Sequence, residues 1–243
     1  MYAYITTDTR GPNKPATNVG WNEGARFVNW LNTSLGFQAA YNFTAGEVND
    51  DIALWSSTDA WQLGGENLFR HKDAQYWLPS MDEWYKAAYY DPTSSSYFDY
   101  PSSDGSFPTA VASGTGDKTA VYNQSFATGP ADITEAGGLS PFGIMGLGGN
   151  VFEWEETEYG LTNGLGSSSR GVRGGYWADS SGGLSSSTRL NDFLNPAIEL
   201  NGIIGFRVAS LSSTAAVPEP GSFALFLTGL AGLGWCRRKR LWK

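Results

Sequence analysis

The sequence predicts a single loop-rich α+β domain followed by a separate C-terminal tail. Three observations carry that expectation. First, 31 glycines stand beside 10 Trp, 12 Tyr and 13 Phe in 243 residues. Large packing side chains mixed with turn-makers suit irregular connections around one core. Second, no long amphipathic heptads and no repeat of fixed period occur, which argues against a helical bundle and a solenoid. Third, helical and strand patterns are interspersed with long Ser/Gly tracts.

In chain order, residues 21–35 place Trp21, Ala25, Val28, Leu31 and Leu35 on one helical face, with Gly36 where a C-terminal glycine cap belongs. Residues 75–78 have the aromatic character of a short strand. A second helix opens at LPSMDEW, where Ser80 and Glu83 make a capping box ahead of Trp84, Ala87 and Ala88. Residues 171–176 and 203–209 complete the expected strands. The segments 91–106, 164–169 and 180–187 read as loops, and the aromatics among them argue for packed ones.

Charge narrows the function. The formal net charge is −8, but Arg237, Arg238, Lys239, Arg240 and Lys243 all fall in the last seven positions. The residues before Arg237 therefore carry 11 basic (16 less 5) against 24 acidic side chains, a balance of −13. Such a body repels a phosphate backbone, so no nucleic-acid partner is expected. The single cysteine, Cys236, lies in the tail, which leaves the body without disulfide, thiolate metal site or cysteine nucleophile.

The N-terminus has no apolar signal-peptide core. The C-terminus has the features of an address. After a small-residue linker at 210–216 come Pro218, Glu219 and Pro220, then 16 uncharged residues at 221–236, then RRKR. The apolar run is shorter than the ~20 residues of a typical bilayer-spanning helix. In order, these parts resemble the PEP-CTERM sorting signal of exported bacterial proteins. That resemblance implies an exosortase-type protease as partner, a membrane helix before processing, and delivery to the envelope, outer surface or extracellular matrix. Domain bounds follow as 1–210, a linker at 211–220 and a sorting helix at 221–243.

Within the body, His71 in RHKDAQ reads as a solvated loop position rather than a catalytic base. GLGGNV fails as a dinucleotide loop because Val151 stands where a third glycine is needed. Glu153, Glu155, Glu156 and Glu158 could supply a carboxylate pair for glycoside hydrolysis, but clustered acids more often form a solvated face or hold a hard cation. Glycine-freed carbonyls with one carboxylate such as Glu153 are a donor set that suits Ca²⁺.

Five ordered blocks resemble the formylglycine-generating enzyme (sulfatase-modifying factor) family: PATNVGWNEGARFVNWLN, YWLPSMDEWYKAAYYDP, SPFGIMGLGGNVFEW, SRGVRGGYW and GIIGFRVA. Together they span roughly residues 13–210. The resemblance implies a C-type-lectin-like α+β fold with little regular structure. It also places the family's two copper-binding cysteines at about Asp179 and Leu184, so no copper is expected. Iron-dependent relatives need a histidine-rich domain that one histidine does not supply. For calcium, the resemblance matches Glu153 to a carboxylate ligand and Gly149 and Val151 to carbonyl donors. Gly146 takes the place of an Asn/Asp ligand, which weakens the site unless Asp132, Asn150 or water compensates. The family's opening segment is missing, which points to a sequence that starts inside its gene.

The expected function is an exported, non-catalytic, lectin-like domain. Its loops at 89–107 and 180–195 would bind a glycan or peptide through residues such as Tyr97, Tyr100 and Asp179. A divergent oxidase without the cysteines is the alternative, and a purely structural matrix component a third.

Overall fold

A computed structural model of the chain describes residues 11–43, 51–191 and 202–211. The chain divides into two compact units, Met1–Ser210 and Leu211–Lys243. Of the second, only Leu211 is among the described residues. The expected apolar helix and the sorting residues Pro218, Glu219, Pro220, Arg237 and Arg238 lie outside them. Among the described residues, no helix is long and apolar enough to cross a membrane.

Among the described residues, two α-helices pack beside short strands. Helix α1, Trp21–Ser34, buries Trp21, Ala25 and Val28 as its periodicity predicts. Gly36 adopts φ +82° just beyond it, the left-handed geometry of a terminating glycine. Leu35, expected inward, is exposed, and Asn32 is buried in the stripe instead. The Asn32 side chain donates to the carbonyl of Tyr76 at 2.8 Å and accepts from the amides of Gln75 and Tyr76. This fastens α1 to the strand Tyr76–Trp77 where an apolar contact would leave strand groups unpaired. Helix α2, Met81–Tyr89, starts at the predicted capping box. Ser80 Oγ accepts from the Glu83 amide, and Glu83 accepts from the Ser80 amide.

The four-stranded sheet is ordered Leu190–Asn191, Arg170–Arg173, Phe152–Glu158, Ile204–Gly205. Phe152–Glu158 pairs antiparallel with Arg170–Arg173, with Glu153 opposite Arg173, and parallel with Ile204–Gly205. The remaining strands form two-stranded ribbons, including Tyr76–Trp77 with Ala209–Ser210. The segment expected as one strand at 203–209 is thus split between two sheets.

The core gathers around buried indoles that each find an acceptor, as burial of a donor requires. Trp154 Nε1 donates to the Val19 carbonyl at 2.7 Å and Trp21 Nε1 to the Glu155 carbonyl at 2.9 Å. Trp84 Nε1 donates to Glu153 Oε2 at 2.7 Å, joining α2 to the central strand.

Candidate functional site

The glycine-rich stretch before the central strand is a turn pressed against backbone. Gly149 has φ +75°, and a Cβ there would lie 2.0 Å from the Val121 carbonyl oxygen. Its amide donates to the Gly174 carbonyl at 2.7 Å, while the Asn150 amide donates to Val121 at 2.8 Å. Val151 is buried with Val121, Ala131 and Trp177. Gly149→Ala should therefore destabilise the domain by about 2 kcal/mol or more, from left-handed strain plus the clash. A urea midpoint equal to the parent's would refute this account of the turn.

The central strand runs FEWEETE, and its acids depart from the expected solvated face. Glu153, Glu155 and Glu156 are all buried, and each faces arginine from a distant segment. Arg207 Nε and Nη2 donate to Glu153 Oε2 and Oε1 at 2.5 and 2.6 Å. Arg173 and Arg189 hold the two oxygens of Glu155 at 2.7 and 2.6 Å. Arg70 holds Glu156 at 2.7 Å and grips Glu83 through both Nη atoms. Tyr41 and Asn67 also donate to Glu156. Desolvated carboxylates persist only with such compensation. The reason they are not a glycosidase pair is equally direct: their lone pairs are committed to fixed donors. Glu158, at the strand end, accepts from Thr162 instead.

The pairing acts on titration. Burial works to lower the Arg70 pKa, but Glu156 and Glu83 outweigh it and hold the guanidinium above its ordinary range. Burial likewise works to raise Glu83, but Arg70 outweighs it and holds the carboxyl below its ordinary value. Arg170, stacked between Trp21 and Phe69, is lowered by burial to about 10.

Glu153 therefore meets a fixed cation. Arg207 Nη2 also approaches the Met145 carbonyl at 3.4 Å, and a Cβ at Gly146 would lie 3.9 Å from the same nitrogen. The guanidinium bridges a loop carbonyl and the carboxylate, the two donor types expected of a calcium site here. The residues present do not fit a calcium ion: both oxygens of Glu153 are engaged, and a second cation beside the guanidinium would be repelled. Neither suggested compensator reaches this position. Asp132 pairs with Lys14 at 2.8 Å, and Asn150 Oδ1 accepts from the Ala131 amide. Among the described residues, no group of three or more His, Cys, Asp or Glu is arranged to hold a metal. His71 is also corrected: it is buried in the strand Asn67–His71, edge-on to Trp55 at 4.7 Å, because the strand turns it inward.

At the C-terminal end of α2, the two loops named from the sequence meet. Tyr89 Oη donates to the Leu184 carbonyl at 3.1 Å, and the Ser186 amide to the Asp99 carbonyl at 2.9 Å. Tyr97 is half exposed and packs against Tyr85 and Tyr90 at 5.2 and 5.1 Å, and Phe142 stacks on Tyr90. Tyr100 is more enclosed, set against Phe107 and the cluster of Ala120, Tyr122 and Leu184. Burial raises the Asp179 pKa against a hydrogen bond from the Ser180 amide, and its carboxylate lies against Gly183 and Gly175. Leu184 is fully buried. Tyr85, Tyr90 and Phe142 were not singled out from the sequence. The signal for Tyr90 was the turn in YYDPTSSSY, where Asp91 accepts from the Thr93 and Ser94 amides and sets Tyr90 opposite Tyr97.

A cavity of about 350 Å³ opens at the other end of α2, lined by Trp61, Arg70, Asp82, Glu83 and Asn163 among others. Its central charges, Arg70 and Glu83, belong to the buried pairing above.

Comparison with known proteins agrees with this fold. The Treponema denticola variable protein 1 shares 21% identity over 85% of this chain and 76% of its own, with a TM-score of 0.57. The structure titled CarF shares 22% over 85% and 72%, with a TM-score of 0.53. At these identities the likeness is one of fold. No curated protein matches the chain. The PEP-CTERM protein-sorting motif matches residues 216–239, which marks an exported protein, processed by an exosortase and sorted to the bacterial envelope or surface. The sulfatase-modifying factor enzyme 1-like domain matches residues 5–211, and with the same ordered blocks, loop-rich α+β fold and turn-forming glycines, the chain belongs to that family.

Proposed function

We propose that the protein is a non-catalytic, ligand-binding member of its family, held in the membrane by the apolar segment 221–236 until exosortase cleavage near Pro218, Glu219 and Pro220. The observation that carries the non-catalytic reading is at the end of α2. Of the two positions that the resemblance assigns to copper-binding cysteines, Leu184 is fully buried among apolar side chains and Asp179 carries a carboxylate. Thiolate-copper chemistry requires thiols, and the chain's one thiol is Cys236 in the tail.

Ligand binding is supported by the aromatic surface where the loops meet. Tyr97, Tyr85, Tyr90 and Phe142 present adjoining rings, and Tyr100 and Asp179 stand on the same two loops. Rings backed by one another hold their orientation without further ordering, which suits stacking on the apolar face of a sugar. A glycan is the favoured ligand, and the carboxylate of Asp179 would accept from its hydroxyls. Retention on a glycan array should be lost in Tyr97→Ala and reduced in Tyr100→Ala, with unchanged melting temperature in the exposed Tyr97 variant. Copper-dependent oxygen consumption with a cysteine peptide would instead identify a divergent oxidase and sink this reading.

We also propose that Arg207, as the counter-charge of Glu153, makes the loop before Glu153 independent of calcium.

A further inference from the structure

From Phe27 onward, the second half of α1 and the turn after it expose aromatic and apolar side chains among small polar ones and carry no charge. Trp30 is 61% exposed, and Phe27, Leu35 and Phe37 are also exposed. Phe27 touches Trp30 and Phe206 at 5.7 and 5.6 Å, and Phe37 meets Tyr76 at 6.1 Å. Tyr76 lies opposite Ser210 in the pair that α1 packs against, and the next residue, Leu211, is exposed as well. Exposed aromatics thus stand on α1 at Phe27 and Trp30, and at Phe37 beside the strand pair that ends at Ser210.

Three facts separate this surface from ordinary exposed leucines. From Phe27 to Gly46 the sequence has no charged residue, although the body balance is −13. The exposed set is Trp- and Phe-rich, and these side chains prefer the boundary between lipid headgroups and acyl chains. A contiguous apolar patch on a soluble domain marks an interaction surface. Only nine residues, 212–220, separate Leu211 from the apolar run, a reach of roughly 30 Å at full extension.

We propose that the surface of Phe27 and Trp30 on α1, with Leu35 and Phe37 just beyond its end, docks on the lipid headgroup region of the membrane that holds the tail. This rests on the anchored state proposed above. The short linker keeps the domain within about its own diameter of the bilayer, so weak insertion of a few aromatic side chains becomes an intramolecular event at high effective concentration. An acidic body is repelled by anionic headgroups, and the uncharged face is a side from which it can approach with least repulsion. Docking would fix the domain's orientation on the membrane.

Two fluorophore positions on the full chain test this in phosphatidylcholine vesicles containing nitroxide-labelled lipid. A dye on native Cys236 reads the tail. A dye on Ser34→Cys in a Cys236→Ser background reads the α1 face, since Ser34 follows Trp30 by one helical turn and is exposed. Both dyes should be quenched, and Phe27→Ser with Trp30→Ser should abolish quenching at position 34 while leaving it at Cys236. Quenching at Cys236 without quenching at position 34 overturns the docking face alone. Absence of quenching at both overturns the anchored state and the docking with it. Quenching at position 34 that survives the double substitution means the tether acts without the face, and energy transfer between copies that rises with protein density means a second copy covers it. Either result overturns the proposal.

Discussion

Removing the Arg207 guanidinium should lower the melting temperature by roughly 10 °C, whereas removing calcium should change nothing. Arg207 is the counter-charge for both oxygens of Glu153, a carboxylate only 7% exposed, whose other partner is the neutral Trp84 indole. In Arg207→Met the aliphatic stem is roughly kept and the charge is lost, so Glu153 is left buried and uncompensated. Breaking a buried pair from one side costs about 3–5 kcal/mol, here toward the lower end because Arg207 is 23% exposed. For a domain of this size each kcal/mol shifts the midpoint by about 2–4 °C. Differential scanning fluorimetry with and without EDTA separates the two cations. A fall in the parent's midpoint with EDTA, reversed by calcium, would show that a metal stabilises this loop and that Arg207 does not suffice.

The second large effect belongs to Arg70. It is 1% exposed and serves two carboxylates, Glu156 at 0% and Glu83. Arg70→Leu leaves both facing each other's side of the vacated space without a positive charge, and should cost about 3–5 kcal/mol at neutral pH. The pH dependence has a definite sign. Arg70 holds the Glu83 pKa below its unfolded value, so that group's contribution is present above the unfolded carboxylate range and is lost as pH falls through the depressed folded value. The parent should therefore lose stability with acid on this account. The Leu variant lacks the depression, so the gap between the two should be widest near neutrality and narrow through the acid limb. Urea midpoints measured from about pH 3 to pH 7 decide the matter. A constant gap would mean that Arg70 acts through its packing over Trp61 and Trp77 rather than through charge.

These two residues explain where sequence reasoning stopped. The helices were readable because their signals are local: the stripe of Trp21, Ala25 and Val28, the glycine after α1, and Ser80 with Glu83 three positions on. The acids of FEWEETE were misread because what decides their environment is not local. Glu156 is 86 positions from Arg70 and Glu153 is 54 from Arg207. A run of carboxylates without visible partners looks solvated or metal-binding, and only the folded chain supplies the guanidinium groups. The position of His71 failed in the same way, since burial against Trp55 depends on which face of a ribbon turns inward.

The sequence by itself determined the family, the two helices, the turn-forming glycines and the sorting tail, because each is written in contiguous residues or in ordered short blocks. It also removed thiolate chemistry from the body by composition alone. The tertiary structure decided which charges neutralise which, that Arg207 rather than an open site faces Glu153, and that the loops bearing Tyr97 and Leu184 meet beyond α2. Those outcomes depend on side chains brought together across many tens of residues, where burial converts a separation in sequence into a contact whose charge must be matched.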